Sequence, residues 1–103
     1  MGSKPLFVLF VSTGNAARSQ IAQALLNAKG SCRYKARSAG VWPADEIPFS
    51  TKAVLENAGH CTEKLHPKSW KDFHEAASYL PVDVIVTLSE DAKFVCDHEW
   101  PYD

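Results

Sequence analysis

A chain of 103 residues is enough for one domain of modest size. With 46% apolar and 22% charged residues it has ordinary globular composition, and a formal net charge of −1 gives no drive toward nucleic acid or an anionic membrane. No apolar run approaches the roughly 18 residues that span a bilayer. The N-terminal run is too short for a signal-peptide core, so a soluble cytoplasmic protein is expected.

Leu6 to Val11 is an unbroken apolar, β-rich run between Pro5 and a polar turn, which predicts a strand buried on both faces. Ala16 to Lys29 predicts a helix, with Ala17, Ile21, Ala24, Leu25 and Ala28 at helical spacing and Gly30 closing it. Arg33 to Ser38 predicts a second strand that ends at Ala39 and Gly40. Val41 to Phe49 holds two prolines and is expected as loop. Ser50 or Thr51 is the expected cap of a helix running through Leu55 to Asn57 and stopped at Gly59. Lys68 to Ala77 predicts a weaker helix with Trp70, Phe73 and Ala77 on one face, more simply core than a base-stacking platform. Val82 to Leu88 predicts a third buried strand, Ser89 to Cys96 a short helix, and Asp97 to Asp103 an irregular tail.

Strands alternating with helices imply a parallel sheet covered on both faces. The expected architecture is a single three-layer α/β domain over residues 1–103, with an open sheet of three to four strands. Ligands of such sheets sit beyond the carboxyl ends of the strands, here Val11-Ser12 and Thr87-Leu88-Ser89. Cys32, Cys61 and Cys96 form no CxxC, and His60, His66, His74 and His98 fall at no metal spacing, so neither a metal nor another cofactor is expected.

The turn Ser12-Thr13-Gly14-Asn15-Ala16-Ala17-Arg18-Ser19 joins the first strand to the first helix. The helix start leaves N–H groups unpaired and carries partial positive charge. Gly14 and Asn15 readily take positive φ, so several N–H groups can fold into one concave nest. Arg18 adds a planar fork that can hold a tetrahedral oxyanion through two parallel hydrogen bonds. The Walker spacing is absent.

Val8 to Gln20 resembles the strand–loop–helix signature V-L-F-V-C-T-G-N-x-x-R-S-Q of the low-molecular-weight protein tyrosine phosphatase and thioredoxin-type arsenate reductase family. Ala36-Arg37-Ser38-Ala39-Gly40 with Pro43, Val54 to Gly59, and Asp83 to Leu88 also resemble family segments, while Lys68 to Phe73 is similar to the S-K-S-W-x-x-F of bacterial arsenate reductases. The resemblance implies the phosphotyrosine phosphatase I-like fold, with the family's C-terminal strand and helix missing. It implies Ser12 to Ser19 as the oxyanion loop and Arg18 as its clamp. It also places Trp42-Pro43 at the rim.

The family's loop begins with a nucleophilic cysteine, where this chain has Ser12. A serine hydroxyl is far less acidic than a thiol, so oxyanion binding is expected to persist and attack to be impaired. The reductases pass electrons to a second cysteine after the third strand and then to a third, seven residues on; here those positions hold Ser89 and Cys96. Both serines fit either a Cys→Ser form or a natural relative without those thiols. Asp103 is the expected general acid, and Cys32 and Cys61 match no relay position. The resemblance thus implies arsenate, phosphate or sulfate as ligand and thioredoxin or glutaredoxin as redox partner. Three functions remain open at this point: an arsenate reductase-type protein, a tyrosine phosphatase, and a non-catalytic oxyanion sensor.

Overall fold

The computed structural model describes residues 5–30, 33–63, 65–71 and 82–99. Among them lie three strands, β1 (Leu6–Ser12), β2 (Tyr34–Gly40) and β3 (Val84–Thr87), and three helices, α1 (Arg18–Lys29), α2 (Phe49–Asn57) and α3 (Glu90–Glu99). The sheet is parallel with order β2-β1-β3. Leu6 to Ser12 pair in step with Tyr34 to Gly40, and Val8 to Val11 with Val84 to Thr87. This is the α/β architecture that the alternating pattern implies.

β1 is apolar without interruption because it lies in the middle. Leu9 and Val11 are fully buried and form a core with Ala39, Val41 and Trp70, closed by Ala92 and Val95 of α3. β3 departs from expectation. It is shorter than Val82–Leu88 and only half-buried, with Val84 41% exposed. Among the described residues it is an edge strand, and only Ile85 and the preceding Val82 pack against the core cluster. An apolar run therefore marked a strand here but not its burial. Asp83 N–H still donates to Phe7 O and Leu88 N–H to Val11 O, so pairing extends past both ends of the strand.

α1 also departs from its apolar pattern. Ala17, Leu25 and Ala28 are exposed, whereas Ser19 and Gln20 are buried. The helix docks on β2 through amides. Ser38 Oγ donates to Gln23 Oε1 at 2.6 Å. Asn27 pairs with both backbone groups of Ala36, accepting from its N–H at 2.7 Å and donating to its carbonyl at 3.1 Å. An amide used this way occupies hydrogen-bonding positions that a further strand would take, and so blunts that edge of the sheet. Gly30 ends α1 with φ −76, so glycine is needed there for room: a Cβ would lie 2.6 Å from Leu26 O.

α2 starts at Phe49 after Pro48 with no side-chain cap; Thr51, an expected cap, is instead buried in the first turn. Its end follows expectation, with Gly59 at φ +89. Gly59 N–H donates to Glu56 O and His60 N–H to Leu55 O, the paired bonds of a left-handed helix stop. α3 is longer than expected and continues through Asp97 and His98 to Glu99. Ser89 Oγ accepts from Ala92 N–H at 3.1 Å and caps it, while Glu90 and Asp91 suit the positive end of its dipole. Trp70 and Lys71 are helical, and Phe73 and Ala77 lie outside the described residues. Among the described residues no helix is long and apolar enough to cross a membrane.

The double bond from Asn27 to Ala36 carries a direct expectation. Asn27→Ala strips two hydrogen bonds from a buried backbone position and should cost about 1–3 kcal/mol in a urea unfolding titration. A loss below about 0.5 kcal/mol would show that water replaces the amide without penalty.

Candidate oxyanion site

Parallel pairing brings the two expected strand ends side by side. Val11 and Thr87 are register partners, and just beyond them Thr13 Oγ1 donates to Ser89 Oγ at 3.0 Å. The segment from Thr13 to Ala17 is neither strand nor helix; it bends around a point above the end of β1. Its far side is lined by chain leaving β2, with Val41 N–H donating to Ser12 O, Trp42 N–H to Thr13 O and Ala44 N–H to Gly14 O. This places the Trp42 backbone against the loop and leaves its side chain exposed, in keeping with a rim position.

Asn15 shapes the turn. Among the described residues it is the non-glycine residue with positive φ, at 52°, and it is fully buried. Its N–H donates to Ser12 Oγ at 3.0 Å and its Nδ2 to Ser19 Oγ at 2.8 Å. Its Oδ1 accepts from the backbone N–H of Lys68 at 2.8 Å, from Gln20 Nε2 at 3.1 Å and from Lys68 Nζ at 3.4 Å. Gln20 Nε2 also reaches the carbonyls of Asn15 and His66, each at 3.1 Å. Glycine at position 40 is required by this packing, because a Cβ would lie 2.9 Å from Asn15 N and from Gly14 C. The N–H groups of Gly14, Ala16, Ala17 and Arg18 find no acceptor among the described residues. They are the donors an anion at the start of α1 would meet.

Ser12 Oγ is buried and lies 2.7 Å from Ser19 Oγ. Ser19 already accepts from Asn15 Nδ2, so its own O–H is available to Ser12. Asn15 N–H donates to Ser12 Oγ, and either hydroxyl of the Ser12–Ser19 pair can donate to the other, so an ionised atom at position 12 would meet two donors. Among the described residues no carboxylate or imidazole hydrogen-bonds Ser12, so nothing there takes its proton.

An open cleft of about 600 Å³ lies between the two helix starts, lined by Arg18, Thr87, Leu88, Ser89, Glu90, Asp91 and Lys93. Of the residues expected in the site, Ser12 to Ser19 form one constellation and Ser89 joins it. Cys96 does not. It packs half-buried against the core cluster, and burial, then Asp97, pushes its thiol up from the ordinary value. Seven residues along a helix put it about 10 Å from position 89, beyond the roughly 7 Å Cα separation of a disulfide. Asp103 lies outside the described residues, as do Trp100 and Cys32. His98 is tied within α3, with Nδ1 2.8 Å from Phe94 O and its ring stacked on Phe94. The network supports that the sequence reading passed over are Gln20, Lys68 and the His66 carbonyl. Lys68 acts across 53 residues of chain, which no local pattern signals. No three His, Cys, Asp or Glu side chains among the described residues form a metal site.

A turn of this geometry between a central strand and a helix, with an arginine at the helix start, makes this a parallel α/β domain with a candidate anion site at the end of its middle strand. The sequence model of the low molecular weight phosphotyrosine protein phosphatases matches residues 7–101, and the chain belongs to that family. Among solved structures it is similar to a low molecular weight protein tyrosine phosphatase from T. tengcongensis, with 26% identity, TM-score 0.73, and 94% of this chain and 67% of that one covered. It is also similar to a thioredoxin-dependent arsenate reductase from Corynebacterium glutamicum, at 30% identity and TM-score 0.75, covering all of this chain and 47% of that one. A third is the YwlE arginine phosphatase from Geobacillus stearothermophilus, at 26% identity and TM-score 0.73, covering 92% and 60%. The chain therefore spans about two thirds of the first and less than half of the second. No curated protein sequence matches it at a significant level.

Two outcomes test the geometry. Asn15→Ala removes the bonds that hold the turn and leaves Lys68 N–H without its acceptor; it should cost about 2–4 kcal/mol in chemical denaturation. A cost under about 1 kcal/mol would contradict the network. Because the Cys96 thiol is protonated to a higher pH than usual and is half covered, iodoacetamide at pH 7–8 should modify it more slowly than the exposed Cys61, as read by peptide mass spectrometry. Equal rates would show that α3 opens freely.

Proposed function

We propose that this chain is an arsenate reductase-type oxyanion-binding protein in which serine at positions 12 and 89 preserves anion capture and impairs turnover. Arg18 clamps the anion, the N–H groups of Gly14, Ala16 and Ala17 supply further donors, and Ser12 contributes a hydroxyl in place of a thiolate. A neutral hydroxyl removes the repulsion that a thiolate exerts on an oxyanion. Arsenate is the ligand, with phosphate and sulfate as close analogues.

The observation that carries the reductase reading is the Thr13–Ser89 hydrogen bond. It seats the second relay position directly against the loop, where a redox chain needs it and a hydrolase does not. The likeness to a thioredoxin-dependent arsenate reductase supports the same choice. In that reading Cys96 is the remaining relay thiol, and its distance along α3 means that pairing with position 89 requires the helix start to unwind. With cysteine at positions 12 and 89, reduction of arsenate to arsenite would oxidise the thiols at 89 and 96 to a disulfide, which a thioredoxin or glutaredoxin would reduce in a reducing cytoplasm; with Ser89 that disulfide cannot form. Asp103 is the proton donor in this proposal, on the family resemblance alone.

The phosphatase reading keeps the loop and Arg18 and gives position 89 no part in the reaction; the likeness to two phosphatases favours it. The sensor reading keeps the binding alone, in line with the lack, among the described residues, of a base hydrogen-bonded to Ser12.

One series of variants separates the three. The chain as it stands should bind arsenate or sulfate in a calorimetric titration, and Arg18→Ala should weaken binding by roughly tenfold or more. Ser12→Cys with Ser89→Cys should recover arsenate reduction in the presence of thioredoxin and its reductase. Hydrolysis of an aryl phosphate by Ser12→Cys alone, without arsenate reduction in the double variant, selects the phosphatase. Neither activity in either variant, with binding intact, selects the sensor.

A further inference from the structure

Carboxylates stand on both sides of the anion turn that Arg18 follows. On the α3 side Glu90 and Asp91 line it and are exposed. On the opposite side of the loop, Ala44 N–H is bonded to Gly14 O at 2.9 Å, and the next two residues, Asp45 and Glu46, are exposed carboxylates. Lys93, the other cation in the lining, is drawn along its own helix to Asp97, with Nζ 2.6 Å from Oδ2. Two separate segments, one leaving β2 and one entering α3, thus bring like charge to an anion-binding turn.

We infer that these four carboxylates form a charge filter, admitting a small free oxyanion and rejecting phosphate groups that arrive on a polyanionic body. This rests on the oxyanion-binding reading above and narrows its substrate class. A small dianion seated in the turn has its charge met by Arg18, the loop N–H groups and the α1 dipole. A larger anion keeps further negative charge outside the turn, within a Debye length (about 10 Å at 0.1 M salt) of the rim. Repulsion there grows with each added charge, while the attraction from the turn does not. Nucleotides, polyphosphates and acidic phosphopeptides are disfavoured on this account, and inorganic arsenate is left as the preferred class of ligand. Discrimination by placed repulsion suits an open cleft, whose width cannot exclude a large ligand by size.

The test compares arsenate with tripolyphosphate, a body of the same phosphoryl chemistry and higher charge, by calorimetric titration at low salt. In Asp45→Asn/Glu46→Gln/Glu90→Gln/Asp91→Asn the arsenate Kd should stay within about threefold of the unaltered chain. Tripolyphosphate should bind about tenfold tighter or more, and the gain should shrink at high salt. Asp45→Asn/Glu46→Gln alone leaves the first turn of α3 untouched and should show part of the gain. Arsenate binding retained with no gain for tripolyphosphate in either variant overturns the filter while leaving the oxyanion reading in place. Failure of the unaltered chain to bind arsenate overturns both.

Discussion

Asn15 carries a left-handed backbone turn inside the protein, away from water, and the rest of the site is arranged around that demand. A non-glycine residue at positive φ is uncommon, and asparagine is among the few types that tolerate it. The conformation persists because its side chain bonds in both directions, to Ser19 within the turn and to Lys68 across the fold, with Gln20 closing the gap. Each neutral bond contributes roughly 1 kcal/mol net, but leaving one partner buried and unpaired costs more than making the bond gains. The network is therefore more resistant to partial loss than its sum suggests. Gly40 completes it from below by allowing β2 to approach the turn more closely than any side chain permits.

That constraint explains why serine can stand at position 12 without disturbing the loop. The turn is held by Asn15, Gln20, Ser19 and Lys68, and residue 12 receives hydrogen bonds from it instead of bracing it. Binding and reaction are separable for the same reason. On the proposed function, the donors that would meet an anion are backbone groups and an arginine, all independent of the residue at position 12. Reaction needs an ionised atom at position 12. For a thiol, two donors and a helix start can bring ionisation into the physiological range; a hydroxyl starts too high for the same shift to suffice. Thr13 and Ser89 add a lateral tie, so the start of α3 senses the loop through one hydroxyl pair.

Much of this was legible in the chain. The parallel α/β order, the loop from Ser12 to Ser19 and the adjacency of the two strand ends follow from β-rich runs, the Gly14-Asn15 turn and a helix that begins near Arg18. Departures from the family cysteines were legible too, since they are identities at fixed positions. The inner face of α1 was not. Periodicity looks for apolar residues, and this helix docks through Gln20, Gln23 and Asn27, which a pattern argument assigns to water. The exposure of β3 was hidden because an apolar strand reads alike at the centre and at the edge of a sheet. Lys68 was silent for a different reason: its role is a contact between distant segments, and only the fold creates it. The extent of α3 was misjudged because Asp97 and His98 look like tail residues until Lys93 and Phe94, one turn earlier, give them partners.

The turn sets the Asn15 N–H, the Ser19 hydroxyl and the positive end of α1 around residue 12. A thiol introduced there is the most direct probe, since its ionisation reads the local field at one atom. In Ser12→Cys, the pH dependence of alkylation at that position should report a thiol pKa lowered to roughly 4–7, well below the ordinary 8.5. A value at or above 8.5 in the folded protein would contradict this placement of donors, because a buried thiol without them is pushed up, not down.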